Sequence, residues 1–228
     1  MKILVTAGPT REYLDPIRFL SNRSSGKMGY AIADVARLRG HDVHLVSGPV
    51  SLSPPAHVMC SRITTAQEMH DVVLQQLPGM DVLVMCAAVA DWRPCEVSSH
   101  KLKKTAMQST LQLVRTADIL EAVQRIRRPE QIIVGFAAET HDVLSYARDK
   151  LVRKGMDGIV ANDVSRSDAG FGVDTNAVTL IDKAGAIYAF PLQSKHEVAQ
   201  KILDWIEHMV AGWSEAIYPV DGKTGCLF

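Results

Sequence analysis

What this sequence lacks narrows it first. Among 228 residues there are four cysteines and three tryptophans, and aromatic side chains make up only 6%. Cys60, Cys86, Cys95 and Cys226 show no Cys-x-x-Cys pairing with metal-ligand spacing, and two of them sit beside apolar strand patterns. That excludes a zinc-ribbon or disulfide framework and leads us to expect reduced structural thiols in a cytoplasmic protein. An excess of either charge is also missing, since 25 Lys and Arg balance 25 Asp and Glu. A global field that draws in nucleic acid or an acidic membrane is therefore not expected, and an anionic ligand has to be captured locally. No apolar run approaches the roughly 20 residues that span a bilayer. The first residues, Met1 to Val5, enter a strand without a cleavable signal pattern, so we expect neither export nor a membrane.

What is present is a regular alternation of two periods. Lys2 to Thr6, Asp42 to Val46, Asp81 to Cys86, Gln131 to Phe136 and Gly158 to Ala161 read as buried strands. Between them, Lys27 to Arg39, Ala66 to Leu77, Asp118 to Arg127 and Val143 to Lys154 read as helices, with Gly40 and Pro78-Gly79 as stop signals. The pattern predicts an α/β fold, a doubly wound, Rossmann-like and mostly parallel sheet. Ala177 to Ile181 and Ala186 to Phe190, joined at Lys183-Ala-Gly185, predict a C-terminal β-hairpin. His196 to Val210 then predicts a final helix with one apolar face. Residues 1–210 read as one domain, and 211–228 as a tail that fits no regular pattern.

The first strand-to-helix crossover is the most unusual segment. A phosphate-binding turn needs about six residues, and here about twenty lie between strand and helix, with two Pro and three Arg among them. A long crossover can be a surface Ω-loop or a site. Ser24, Ser25 and Gly26 favour the site, because they place hydroxyls and an unhindered backbone at a helix N-terminus, where an anion is stabilised. Gly29 and Ala33 allow close packing of that helix on the sheet. A helical turn over Pro16 to Ser21 would set Arg18 and Asn22 on one side, a bidentate cation beside an amide that both donates and accepts.

Three further groups stand near the predicted binding edge. Cys86-Ala87-Ala88-Val89-Ala90-Asp91 follows the third strand, and its small residues let a ligand approach the backbone; Asp91 either bonds a ribose or base or caps a turn. Lys101-Leu102-Lys103-Lys104 reads either as a solvated basic face or, with Lys101 and Lys103 alternating as on a strand, as a flap over a polyphosphate. Lys150 and Lys154, one helical turn apart, are a possible phosphate or base contact. Tyr146 and Lys150 also match the Tyr-x-x-x-Lys pair of short-chain dehydrogenases. Against that NAD(P)-dependent alternative, the first turn lacks the dinucleotide glycine spacing and no acid follows the second strand at Ser47-Gly48-Pro49. A non-catalytic nucleotide-binding module is the other alternative.

Taken together, Ala7 to Glu12, Leu14 to Phe19, Ser21 to Gly29, Ala87 to Asp91, Lys101 to Lys104, Gly135 to Thr140 and Ala161 to Val164 resemble the phosphopantothenoylcysteine synthetase family of coenzyme A biosynthesis, over residues 1–209 and in order. The resemblance implies activation of the 4'-phosphopantothenate carboxylate by CTP, forming an acyl-cytidylate with release of pyrophosphate. The amine of cysteine then displaces CMP. It implies that Asn22 holds the acyl-cytidylate carbonyl, that Arg18 helps bind the pantothenate part, and that Lys101 serves cytidylate formation. It implies nucleotide contacts at Ala87, Asp91, Val114, Arg115, Thr116, Ala117, Phe136, Lys150 and Lys154. Mg2+ is implied through the triphosphate, with no metal ligand assigned to a side chain. The family segment that commonly reads Asn-Pro-Asp-Ile is Thr116-Ala-Asp-Ile119 here, so backbone contacts are expected to carry it. A homodimer whose partner chain completes each site is implied as well. Many bacterial members are fused to a flavin-dependent decarboxylase; this chain starts at the synthetase half, so the expectation is a separate phosphopantothenoylcysteine decarboxylase.

Overall fold

In the computed structural model, which describes residues 1–103, 110–139, 141–164, 168–170 and 172–212, eight strands form one sheet flanked by five helices. The chain enters through β1 (Lys2–Ala7), folds its long crossover into a small antiparallel hairpin, β2 (Arg11–Tyr13) and β3 (Phe19–Ser21), and continues as α1 (Lys27–Leu38). It then forms β4 (Asp42–Ser47), β5 (Met59–Arg62), α2 (Ala66–Gln76) and β6 (Val82–Met85). A second small hairpin, β7 (Trp92–Pro94) with β8 (Leu113–Arg115), precedes α3 (Ile119–Ile126). The remainder is β9 (Ile132–Glu139), α4 (Val143–Arg153), β10 (Gly158–Asp163), β11 (Thr175–Asp182), β12 (Ile187–Ser194) and α5 (Lys195–Ala211).

The strand order is β12-β11-β10-β9-β6-β1-β4-β5. Every pair from β10 to β5 is parallel, and β11 and β12 add an antiparallel edge. The chain winds outward from β1 to β5, then returns to β6 and winds the other way. The β1/β6 boundary is therefore the switch point of a doubly wound sheet, where the carboxyl ends of neighbouring strands diverge and leave a crevice.

Side-chain periodicity decides which helix covers which face. Met28, Ile32, Val35 and Ala36 of α1 join Val198, Ile202, Trp205 and Ile206 of α5 in one buried cluster. Met69, Val73, Ile119, Val123, Ala147 and Leu151, from α2, α3 and α4, form the cluster on the opposite face. The strands between are buried on both sides, which is why they read as unbroken apolar runs. Gly29 makes the α1 contact possible: a Cβ built there would lie 2.6 Å from Ala7 Cβ and 3.0 Å from Thr6 O. Among the described residues, no helix is long and apolar enough to cross a membrane.

The structure corrects the sequence reading in several places. Pro16 to Ser21 is not a helical turn. Oδ1 of Asp15 accepts the backbone N–H groups of Ile17 and Arg18, each at 2.9 Å, and the chain then pairs as β3. Pro16 and the short polar side chain before it favour this Asx-type turn over a helix. Lys101 to Lys103 form no strand; they lie in the connection between β7 and β8. Lys104 and residues 213–228 of the expected tail lie outside the described residues. The edge strand β5 and the two small hairpins went unpredicted.

Candidate functional site

At the switch point a cleft of about 1090 Å³ opens, floored by the ends of β6, β9 and β10 and walled by the start of α1 on one side and by α3 and α4 on the other. Its floor is built by buried threonines. Thr6 Oγ1 accepts the Ala87 N–H at 3.1 Å and Thr10 Oγ1 accepts the Ala90 N–H at 3.0 Å. Thr116 Oγ1 donates to Ala90 O at 2.6 Å, and the Thr116 N–H donates to Asp91 O at 3.0 Å. Both Thr6 and Thr10 are fully buried. The 86–91 segment is thus held as rigid, small-residue backbone at the binding edge.

Asn22 reaches this floor from the crossover, with its Nδ2 donating to Ala88 O and Val89 O, each at 3.0 Å. Behind it Ser24, Ser25 and Gly26 lead into α1. Gly26 occupies the N-cap in the left-handed region (φ 78°) and supplies no side-chain cap. The first N–H groups of α1 therefore face the cleft without a capping side chain, the arrangement that suits a phosphate or carboxylate. Two ammonium groups flank it. Lys27 Nζ is 2.7 Å from Asp174 Oδ1 and 2.9 Å from Gly172 O. Lys195, buried at the start of α5, donates to Gly170 O at 2.8 Å and to Val173 O, and burial pushes its pKa down. Burial also pushes the Cys86 thiol up to about 12, against the pull of nearby Lys195. Cys86 is a neutral wall residue, and Cys60, Cys86 and Cys95 are all free thiols.

The opposite wall carries the predicted lysine pair. Lys150 Nζ donates to Phe136 O at 2.9 Å; burial lowers its pKa, while the carboxylates of Glu139 and Asp91 pull the other way. Lys154 pairs with Asp118. Burial alone would raise the Asp118 carboxyl, but that ion pair, the Glu121 N–H and the charge of Arg153 together outweigh it and the carboxyl is held below its usual range. Asp118 also caps α3 by accepting the Glu121 N–H at 3.0 Å. At the rim the Arg115 guanidinium lies 5.6 Å from the centre of the Trp92 ring.

The cleft therefore brings together Asn22, Ser24, Ser25, Gly26, Ala87, Asp91, Arg115, Thr116, Ala117, Phe136, Lys150 and Lys154. It does not bring Arg18, Lys101 or Val114 to the same wall. Arg18 is paired with Asp15 at 2.5 Å, Lys101 is exposed on the β7–β8 connection, and Val114 pairs with Arg93 within the small hairpin. Tyr146 is also outside the cleft, with its hydroxyl 3.5 Å from His141 Nε2, so it does not converge with Lys150 as a dehydrogenase pair must. Sequence reading missed Lys27, Glu139, Asn162, Asn176 and Lys195, all of which line the cleft. Only the winding of the sheet joins them, since Lys27 and Asp174 lie 147 residues apart. Among the described residues, no three His, Cys, Asp or Glu side chains are grouped to hold a metal ion. The described part of the cleft does not fit Mg2+ as a protein-caged ion.

Known proteins share this architecture. The family model described as the DNA/pantothenate metabolism flavoprotein C-terminal domain matches residues 1–210. The coenzyme A biosynthesis bifunctional protein CoaBC of Vibrio parahaemolyticus is 46% identical over 210 residues, 91% of this chain and 52% of that protein. The CoaBC of Bacillus subtilis is 47% identical over 205 residues, 90% and 50% of the two chains. The chain thus spans about half the length of these curated relatives. A crystal structure of the C-terminal domain of a CoaBC superimposes with a TM-score of 0.80 at 44% identity, covering 93% of this chain and 96% of that one. On that match and those identities, the chain belongs to the DNA/pantothenate metabolism flavoprotein C-terminal domain family.

Proposed function

We propose that this domain joins 4'-phosphopantothenate to cysteine in coenzyme A biosynthesis, with CTP as the activating nucleotide. A carboxylate is a poor acyl donor, so it first attacks the α-phosphorus of CTP and expels pyrophosphate. The cysteine amine then attacks the acyl carbon and expels CMP, leaving the amide and one released proton. The observation that carries the reading is the two-sided cleft. An uncapped helix N-terminus flanked by Lys27 and Lys195 suits an anionic group on one wall, and Lys150 and Lys154 suit a nucleotide on the other. Between them, Asn22 and the rigid 86–91 backbone stand where the carbonyl would meet both.

In this reading Ser24, Ser25 and Gly26 receive the anion. Asp91, Ala87, Phe136, Lys150, Lys154 and the 114–117 backbone contact the nucleotide. Asn22 supports the acyl carbonyl during cysteine attack. Arg18 and Lys101 are not on the cleft wall, so their roles require approach from the β7–β8 connection or from a partner subunit of a homodimer. Mg2+ would be held by triphosphate oxygens and water, and no step is assigned to it. A cytoplasmic location and a decarboxylase activity that consumes the product complete the proposal.

The test is to supply 4'-phosphopantothenate, cysteine and Mg2+ with CTP and ATP in parallel. Pyrophosphate and CMP should appear with CTP, and pyrophosphate and AMP more slowly with ATP. No pyrophosphate with either nucleotide sinks the assignment, and faster turnover with ATP overturns the nucleotide choice.

A further inference from the structure

We infer that Asp15, with Arg18, is a clasp that fixes the backbone of Leu102 and thereby positions the adjacent Lys101. The Asp15 carboxylate is fully buried although it belongs to the crossover, and it is saturated with donors. Its Oδ1 accepts the N–H groups of Ile17 and Arg18. Its Oδ2 accepts Arg18 Nε at 2.9 Å, Arg18 Nη2 at 2.5 Å and the Leu102 N–H at 3.2 Å. Arg18 Nη2 also donates to Leu102 O at 2.7 Å. Leu102 is gripped by both its amide hydrogen and its carbonyl, by two side chains 84 and 87 residues away in sequence. The Ser98 N–H donates to Leu14 O at 2.9 Å, a second stitch between the same two segments.

The need for such a clasp follows from the irregularity of the segment it holds. Residues 95–103 leave β7 without forming a helix or strand, and an irregular segment keeps its conformational freedom unless something ties it down. The clasp ties it next to Lys101. The Arg18 hydrogen bond holds the Asp15 carboxyl well below the usual range, so the pair stays charged across physiological pH. In this arrangement Asp15 is a positioning residue and touches no substrate.

The inference rests on the proposed function only for the consequence at Lys101, and the experiment separates the two. Two variants are needed. Asp15→Asn replaces an acceptor by an amide that cannot satisfy Leu102 and Arg18 together. Leu102→Pro removes the Leu102 N–H and leaves the Asp15–Arg18 pair in place, and because trypsin does not cut a Lys–Pro bond this variant is read at Lys103 alone. Each is exposed to trypsin, and cleavage after Lys101 and Lys103 is compared with cleavage after Lys183 in the β11–β12 turn. Cleavage after Lys103 should quicken about tenfold in both variants, and after Lys101 in Asp15→Asn, the opening factor for one lost charge-assisted hydrogen bond, with Lys183 unchanged. Unchanged relative cleavage in both variants overturns the clasp.

For positioning as opposed to general support, pyrophosphate release should fall about tenfold while cysteine attack on supplied acyl-cytidylate stays within about twofold. Equal loss of both steps overturns the positioning role. Should the wild-type protein release no pyrophosphate with CTP or ATP, the functional reading falls, and the cleavage rates still decide the clasp.

Discussion

Asn22 and Ala88 are joined by a hydrogen bond of 3.0 Å from Nδ2 to O, and the second amide hydrogen of Asn22 goes to Val89 O at the same distance. Two carbonyl acceptors fix which side-chain atom is the nitrogen, because an oxygen there would face two lone pairs. The amide is thus stitched to the binding-edge backbone before any ligand arrives. A substrate carbonyl that takes a hydrogen bond from Asn22 does so in exchange for one of these contacts.

The first prediction follows from that exchange. Asn22→Asp loses both donors and sets a carboxylate against two carbonyls. It should keep pyrophosphate release within about fivefold but slow cysteine attack by about a hundredfold, the scale for one lost oxyanion donor, so acyl-cytidylate accumulates. Lys101→Gln should do the reverse and fail at pyrophosphate release. Quenched-flow separation of pyrophosphate from CMP measures both steps, and equal loss of the two in either variant removes the assigned division of labour.

Gly29 carries the second prediction. The α1 backbone runs so close to β1 that an added Cβ would lie 2.6 Å from Ala7 Cβ and 3.1 Å from Ala7 Cα, with fixed backbone behind. Gly29→Ala should cost about 3 kcal/mol, toward the upper end for overpacking, although alanine is the better helix former. Urea unfolding checks it, and a variant of wild-type stability would show that α1 can shift outward without penalty. Because α1 starts at the turn proposed to receive the anion, nucleotide-dependent turnover should fall with the same substitution.

These two sites mark how far the sequence was legible. The close approach at Gly29 was readable, since a glycine followed four residues later by Ala33 leaves one helix face without bulk. The sheet apart from β5, and the five helices, were readable because buried parallel strands and amphipathic helices repeat their periods over many residues. The small hairpins were not, because β2, β3, β7 and β8 have three residues each and β7 ends in Pro94. The edge strand β5 has four residues and none fully buried. Arg18 misled for a related reason. Its spacing from Asn22 fits a helical turn, but the buried Asp15 carboxylate three residues before it captures the guanidinium and the local N–H groups instead. Nothing in local pattern reveals that Lys27 meets Asp174, or that Asp15 meets Leu102, because those contacts depend on the winding of the chain.

Lys150 supports a third prediction. Burial lowers its pKa, so holding the ammonium against Phe136 O works against the folded state at neutral pH. As pH rises from the folded pKa toward the ordinary 10.5, the unfolded chain binds more protons than the folded one, and this penalty is relieved. Lys150→Met should therefore melt at the wild-type temperature or higher, yet raise the KM for nucleotide about tenfold. Calorimetry and initial rates check the pair of outcomes, and a lower melting temperature with unchanged KM would make Lys150 a purely structural residue.

The last prediction concerns acid sensitivity away from the site. His44 on β4 is buried, its Nε2 lies 2.8 Å from Ser61 Oγ of the edge strand, and its Nδ1 is buried without a partner. Burial pushes its pKa below the ordinary 6.5, against the opposing pull of Gln76 and Asp42. A lowered folded pKa means that the unfolded chain takes up the proton first. The stability contributed by the neutral ring is complete above pH 6.5 and declines as pH falls from there through the folded pKa. His44→Leu should consequently lose less unfolding free energy than the wild type between pH 7 and pH 5, even if it starts lower for want of the Ser61 hydrogen bond. Urea titrations of both proteins at the two pH values measure the difference, and equal losses would place the acid-sensitive group elsewhere.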